Sequence, residues 1–264
     1  MGEIIRQVDH VIISAGSPEP VFELLTGTLG LPASWPIGGN DDLSSGGVYA
    51  GNCNIESAAF AADNPIAHPA GTPPTIAGLA FEPPPLSDAL AEMDRRGVAH
   101  LELPPAESGH EHAEFGWTNS AFLDVTSLPE PFFFACEYGH DVPAWRARLR
   151  AEFDAVGGGP FGIDGVRDVT IGAPDVERSR SAWQKLMDPC RPSDDGAWRP
   201  GGGSGVRVVA HNAHAILSLR FAVRDLDAAV DHARRTGVLA AAHDGEAKLD
   251  PSAMLGLDLR LVSA

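Results

Sequence analysis

The sequence predicts an α+β fold assembled from four copies of one strand–helix–strands unit. Three recurring features lead to this prediction. A run of about six β-branched and aromatic residues, typical of a short strand, recurs four times. An acidic or proline-containing turn follows each run, and apolar residues three and four apart, typical of an amphipathic helix, follow the turn. The four strand runs lie at residues 9–15, 78–82, 168–175 and 218–223.

The helices of the second and fourth units have the clearest ends. Asp225 stands where an N-cap residue belongs, and Asp88 falls in the first turn of its helix. Gly97 and Gly237 follow the last apolar residues, at the position where helices commonly end in a left-handed glycine. The sequence predicts helices at residues 21–25, 86–93, 179–187 and 225–233.

Further short strands follow each helix, which makes the unit of the βαβββ type. A unit of this size cannot bury its sheet face alone, so we expect the copies to pair into curved mixed sheets with helices on the convex side. The predicted strands lie at residues 47–50, 54–60, 121–126, 132–138, 205–210 and 257–262.

Pairing of neighbouring units predicts two domains. The first and second units form a domain at residues 1–140, and the third and fourth form one at residues 166–264. Residues 141–165 are the predicted linker, with a short helix at 142–153 and a Gly-Gly-Gly-Pro break at 157–160.

Charge and composition exclude several classes of protein. Lys and Arg total 19 against 36 Asp and Glu, a formal net charge of -17, whereas a nucleic-acid-binding protein needs a basic face. The 3 cysteines are odd in number and widely spaced, which argues against a disulfide framework or a zinc knuckle. No stretch approaches the ~18 apolar residues of a membrane span. We therefore expect a cytoplasmic protein with reduced thiols that binds neither nucleic acid nor membrane.

Three short segments carry a resemblance to a known family. They are Asp-His-Val-Ile-Ile at 9–13, Thr-Leu-Gly-Leu at 28–31 and Ala-Val-Arg-Asp-Leu-Asp-Ala-Ala at 222–229. These segments resemble the opening and the middle of modules in the vicinal oxygen chelate superfamily, which includes glyoxalases, extradiol dioxygenases and bleomycin-resistance proteins. The resemblance covers nearly the whole chain as a pattern, and it implies two glyoxalase-like domains, each made of two paired modules.

The resemblance also implies a divalent metal, such as Fe, Mn, Zn, Ni or Co, in the cup of a paired sheet. Members of the superfamily place metal ligands on the first and last strand of each module. By position, His10 and Glu56 match the two ligand sites of the first unit. In the second unit the first-strand site falls on Gly78, which has no donor atom, and the last-strand site falls on Glu137, or on Ala135 if the register differs.

Alternation along the predicted strand at 132–138 leads us to expect Glu137 in the cup, as a metal ligand and catalytic residue, with Phe132, Phe134 and Cys136 under a helix. Each assignment has a plainer alternative. His10 would then be a buried, hydrogen-bonded histidine, and Glu56 a solvated carboxylate at a sheet edge.

Two further segments are relevant to the cup. Trp117 and Asn119 are predicted ligand-binding residues, a stacking surface and a polar anchor, although packing of Trp117 on the core is an equal alternative. The His-Glu-His run at 110–112 has a spacing used by metal sites and would replace the donor that Gly78 lacks, but we favour a solvated acidic loop.

The leading functional hypothesis is a metal-dependent lyase, isomerase or dioxygenase that acts on a small oxygenated metabolite in the N-terminal cup. The alternative from another class is a metal-free small-molecule-binding protein of the same fold, similar to the drug-sequestering resistance proteins. A homodimer is kept open as the assembly. The matching positions of the C-terminal half hold Asp168, Ser218 and Arg260, which do not suit a cation. The specific alternative is that this half binds an anionic ligand, a carboxylate or a phosphate, through Arg260.

Overall fold

Two mixed sheets form the framework of the computed structural model, which describes residues 2–64, 66–69, 71–103, 106–107, 116–128, 130–139, 141–243 and 245–264. In both sheets, a central antiparallel pair has one parallel neighbour on each side. The predicted α+β class and the four-module architecture are confirmed.

The first sheet has nine strands within the described residues, in the order β2-β3-β4-β1-β5-β9-β8-β6, with β7 paired to β8. Its strands are β1 (Gln7–Ser14), β2 (Ala33–Gly39), β3 (Leu43–Tyr49), β4 (Asn54–Phe60), β5 (Thr75–Glu82), β6 (His100–Glu102), β7 (Ala106–Glu107), β8 (Gly116–Phe122) and β9 (Phe132–Tyr138). Its helices are α1 (Glu19–Glu23), extended by a π-helical turn (Leu24–Thr28), and α2 (Leu86–Arg96).

The second sheet has seven described strands in the order β11-β12-β10-β13-β16-β15-β14. Helix α3 (Val142–Val156) connects the two sheets. The remaining elements are β10 (Ile163–Ala173), α4 (Val176–Met187), β11 (Ala197–Trp198), a 3₁₀ turn (Pro200–Gly202), β12 (Gly205–Ala210), β13 (Ala215–Val223), α5 (Leu226–Thr236), β14 (Leu239–His243), β15 (Glu246–Leu249) and β16 (Leu259–Ser263). No described helix has the length and apolar character that a membrane-crossing segment requires.

The predicted helix ends are confirmed. The side chain of Asp225 accepts a hydrogen bond from the Ala228 N–H at the start of α5. Gly97 and Gly237 adopt left-handed backbone conformations, with φ of 61° and 73°, at the ends of α2 and α5. Residues with a Cβ are disfavoured in that conformation, so these glycines fix where each helix stops.

The two sheets use the same register at their central pairs. His10 lies opposite Ala80 and Ile12 opposite Gly78, while Asp168 lies opposite Arg220 and Thr170 opposite Ser218. The register of pairing also shifts at equivalent places in the two sheets. The shift between Val8 and His10 matches the one between Val166 and Asp168, and the shift between Ile12 and Ile13 matches the one between Thr170 and Ile171. The predicted equivalence of His10 with Asp168, and of Gly78 with Ser218, is therefore confirmed.

The helix-facing sides of both sheets belong to one apolar core. Trp183 of α4 is 1% exposed, and its ring lies 4.9 Å from Phe133 and 5.9 Å from Phe81 of the first sheet. Arg96 of α2 donates to the backbone oxygens of Lys185 and Asp188, each at 2.9 Å. The C-terminal half thus packs directly against the N-terminal sheet. The division of the chain at residues 141–165 stays a prediction.

Candidate functional site in the N-terminal cup

The face of the first sheet that points away from the helices forms the N-terminal cup. Its floor is a small apolar cluster, and partly buried, mostly aromatic side chains surround it. The floor residues are Ile12, Ala58, Ala77, Ala80, Phe134 and Cys136, and the surrounding residues are Leu43, Phe60, Trp117, Phe132 and Tyr138. The cup is therefore lined mainly by apolar and aromatic side chains.

His10 and Glu56 face each other in this cup. His10 Nε2 lies 3.4 Å from Glu56 Oε2, and their side chains are 8% and 13% exposed. Strand pairing explains the approach, because Ile12 pairs with Glu56 on β4, so His10 and Glu56 project from the same face one pleat apart. The predicted proximity of these two residues is confirmed; their role as metal ligands stays a prediction.

Asp9 orients the His10 ring. The pairing irregularity between Val8 and His10 leaves Asp9 as the extra residue of a bulge, so that its carboxylate reaches its neighbour's ring. His10 Nδ1 lies 2.7 Å from Asp9 Oδ2. Since a carboxylate only accepts hydrogen bonds, Nδ1 donates the proton, and Nε2 is left facing Glu56.

Tyr138 and Arg146 complete a buried polar network around Asp9. The Tyr138 hydroxyl donates to Asp9 Oδ2 at 2.7 Å, and Arg146 donates to Asp9 Oδ1 at 2.6 Å. Arg146 also pairs with Glu82. Arg146 lies on α3, in the segment predicted as a linker, so α3 is part of the site and not only a connection. Sequence reasoning missed Asp9, Tyr138 and Arg146 because none of them occupies a ligand position of the matched pattern.

The network shifts the titration of its members. Burial acts to lower the pKa of His10, but the hydrogen bond to Asp9 and the charges of Asp9 and Glu56 outweigh it, so the pKa is raised. Burial acts to raise the pKa of Asp9, but the hydrogen bond and charge of His10, together with Arg146, lower it overall. Burial raises the pKa of Tyr138 well above its usual value, so its hydroxyl stays protonated as a donor.

The predicted orientation of Glu137 is wrong. Ala80 pairs with Phe134 on β9, and His10 pairs with Ala80, so Phe134, Cys136 and Tyr138 share the cup face with His10. Glu137 lies on the opposite, helix-facing side, where its carboxylate accepts the Leu86 N–H at 2.8 Å at the start of α2. Both faces of this strand are apolar along most of its length, so alternation of residue types cannot distinguish them.

Trp117 and Asn119 lie on the cup face, and their role in ligand binding stays a prediction. Trp117 pairs with Tyr138, and Asn119 pairs with Cys136, so both share the face of His10. The Asn119 side-chain oxygen is buried and has no hydrogen-bond partner among the described residues. A buried acceptor without a donor calls for an explanation, and a hydroxyl or amide of a bound molecule would supply one. The His-Glu-His run at 110–112 lies outside the described residues.

Cys136 on the cup floor and Cys53 are predicted to be unreactive thiols. Burial raises the pKa of Cys53 to about 12 and that of Cys136 well above its usual value. Because the thiolate is the reactive form, iodoacetamide at pH 8 should label only the partly exposed Cys190 in the folded protein, and all three cysteines in denaturant. Peptide mass spectrometry reads out the labelled positions. Labelling of Cys53 as fast as Cys190 would show that the buried environment is wrong.

Comparison with solved structures decides the fold. A hypothetical protein from Staphylococcus aureus superposes with a TM-score of 0.67 at 9% identity, over 97% of this chain and 98% of that one. 4-Hydroxymandelate synthase from Streptomyces coelicolor, in a triple variant, superposes at 0.65 and 12% identity, covering 100% and 93%. Homoprotocatechuate 2,3-dioxygenase from Arthrobacter globiformis superposes at 0.62 and 12%, covering 100% and 81%. The chain has the vicinal oxygen chelate fold.

The resemblance found in the sequence is therefore confirmed at the level of the fold. No family model matches the sequence, and no curated protein matches it. At these low identities the chain shares the vicinal oxygen chelate fold with the solved structures and no more. The chemistry of this chain depends on the residues of its own cup.

Proposed function

We propose that this protein is a divalent-metal-dependent enzyme that acts on a small oxygenated molecule in the N-terminal cup. The observation that carries the proposal is the pair formed by His10 Nε2 and Glu56 Oε2, 3.4 Å apart at the apolar floor of the cup. Similarity in fold to a dioxygenase and to 4-hydroxymandelate synthase supports the proposal of an enzyme by analogy alone.

The donor set suits a transition metal with an open coordination sphere. An imidazole nitrogen together with a carboxylate oxygen suits Fe, Mn, Zn, Ni or Co. The contact between Asp9 and His10 Nδ1 is the outer contact that commonly orients a metal-binding histidine. Within the described residues, no group of three or more His, Cys, Asp and Glu side chains is placed to hold an ion. His10 and Glu56 would hold the metal, and oxygens of the bound molecule and water would fill the other positions.

When bound, the metal would polarise two adjacent oxygens of the molecule that chelates it. The residues of the chain would do the rest. Asp9 fixes the ring of His10, and the Trp117 ring offers a face on which a flat molecule stacks. The Asn119 oxygen accepts a hydrogen bond from the molecule. Trp117 and Asn119 lie on β8, three strand spacings from His10 on β1, roughly 14 Å along the sheet. A molecule that contacts both places would have its oxygens at the end near His10 and a flat part near Trp117.

A second candidate function is metal-free binding of a small molecule in the same cup. The positions of the second unit that face His10 carry Ala80 and Phe134, which have no donor atoms, and Glu137 points away. In that case the His10–Glu56 pair itself would recognise a polar group, and the aromatic wall would provide most of the affinity.

Elemental analysis of protein purified without a histidine tag and without added metal tests the proposal. We expect close to one metal ion per chain in the unmodified protein, and loss of the metal in His10→Ala and Glu56→Gln with the circular dichroism spectrum retained. Glu137→Gln is the matched control, since its carboxylate caps α2 and should leave metal content unchanged. Metal-free unmodified protein would overturn the metalloenzyme and leave the binding protein, whereas unchanged metal in His10→Ala would overturn the proposed site at His10 and Glu56.

A further inference from the structure

The corresponding face of the second sheet is charged where the first is apolar and aromatic. Four arginines and one lysine converge there on four carboxylates. We call this group the arginine cluster: Arg199, Arg207, Arg220, Arg260 and Lys248, with Asp168, Asp195, Glu246 and Asp258. Five cationic side chains stand against four anionic ones, so the cluster carries a net charge of about +1 in a chain whose formal charge is -17.

The arginines surround a fully buried carboxylate. Asp168 is 0% exposed, and its oxygens lie 3.1 Å from Arg207, 3.2 Å from Arg220 and 3.7 Å from Arg199. Arg220 and Arg260 also pair with Glu246, at 3.0 and 2.8 Å. One carboxylate cannot satisfy three guanidinium groups, because each of them presents five N–H donors in a fixed plane.

Donor groups of the cluster are left over. The buried Nε–H groups of Arg199 and Arg207 have no hydrogen-bond acceptor among the described residues. The arginine side chains nevertheless remain reachable from solvent, with exposed fractions of 19% for Arg199, 24% for Arg207 and 16% for Arg220. Buried donors without acceptors are rare in folded proteins, and they favour an acceptor-rich group as a partner.

The cluster occupies the positions that hold the candidate site in the first sheet. Through the shared register, Asp168 corresponds to His10 and Arg220 to Ala80. Arg207 pairs with Thr170 as Glu56 pairs with Ile12, so Arg207 corresponds to Glu56. In the same way, Arg260 pairs with Arg220 as Phe134 pairs with Ala80, so Arg260 corresponds to Phe134. The frame that places the His10–Glu56 pair in one cup thus places guanidinium groups in the other.

We propose that the cup face of the second sheet is a separate binding site for a small molecule that carries a compact oxyanion, a carboxylate or a phosphate. The guanidinium groups of Arg207 and Arg220 bind its oxygens, and Arg199 and Arg260 flank it. Asp168 holds the arginines in place and limits affinity by competing for their donors. This site is independent of the function proposed for the N-terminal cup.

Titration with inorganic phosphate and with acetate, followed by NMR of the arginine Nε–H resonances, tests this proposal. We expect saturable shifts of the Arg199 and Arg207 resonances, and the tighter of the two anions identifies the group. Arg220→Gln should weaken binding about 10-fold or more, since a charge-assisted contact is lost. Asp168→Asn should strengthen binding if it folds, because the competing carboxylate is gone.

Two controls separate this site from the surface and from the first cup. Arg234→Gln removes an arginine that is 63% exposed on α5 and should leave the anion affinity unchanged. His10→Ala should also leave it unchanged, whatever its effect on metal content. Absence of saturable shifts up to about 20 mM anion, or equal weakening in Arg234→Gln and Arg220→Gln, would reduce the arginine cluster to a structural ion-pair network.

Discussion

Replacing Asp9 by Ala is expected to lower the free energy of unfolding by about 3–5 kcal/mol. Asp9 is 1% exposed and accepts hydrogen bonds from His10, Tyr138 and Arg146. Removing one member of a buried charged network leaves the other members without a partner, and that penalty exceeds the value of any single hydrogen bond. Arg146 keeps its contact with Glu82, which sets the lower end of the range.

Urea unfolding of chelator-treated protein, followed by circular dichroism, measures this effect without a contribution from bound metal. Asp94→Ala is the matched control, because its carboxylate is 79% exposed and only borders His100. We expect that variant to unfold with the unmodified protein. A shift for Asp9→Ala no larger than for Asp94→Ala would mean that the polar network around His10 does not exist in solution.

Replacing Trp183 by Ala should destabilise the protein by a similar amount, about 3–5 kcal/mol. Trp183 belongs to α4, but its ring packs against Phe81 and Phe133 of the first sheet. The substitution leaves a cavity where the two halves share their core, so the cost includes lost contacts on both sides. We expect cooperativity between the halves to weaken as well, with a broader transition or two separate ones.

Denaturant unfolding monitored by two probes, circular dichroism and tryptophan fluorescence, tests both parts of this prediction. Leu128→Ala provides the control, as that side chain is 56% exposed. Coincident transitions with unchanged midpoint in Trp183→Ala would show that the packing between α4 and the first sheet contributes nothing to stability.

Much of the framework was predictable because local signals agree with one another. The strand at 54–60, the strand at 132–138 and the strand at 205–210 were predicted with the bounds that β4, β9 and β12 have. Each combines β-branched or aromatic residues with turn residues at its ends. The helix predicted at 142–153 is α3, which runs three residues further, to Val156.

The site was less predictable because it depends on which way side chains point. His10 and Glu56 were found through positions of a family pattern, and strand pairing brings them together. The sequence of β9 is apolar on both faces, so parity alone placed Glu137 on the wrong side. The bulge at Asp9 leaves no mark in the sequence, and Arg146 is more than 100 residues away from it along the chain.

The shared register of the two central strand pairs also separates folding from recognition. The helix-facing residues of these pairs are apolar in both sheets, Val11 with Leu79 and Val169 with Leu219, and all four are 0% exposed. The alternate residues on the other face differ in charge, size and polarity without altering the pairing. A duplicated frame of this kind lets one copy change its ligand preference through a few outward side chains while the other copy keeps its own. In such a chain, a substitution at one position of a sheet can introduce the side chain that the matched position of the other sheet carries, and the buried pairing stays the same.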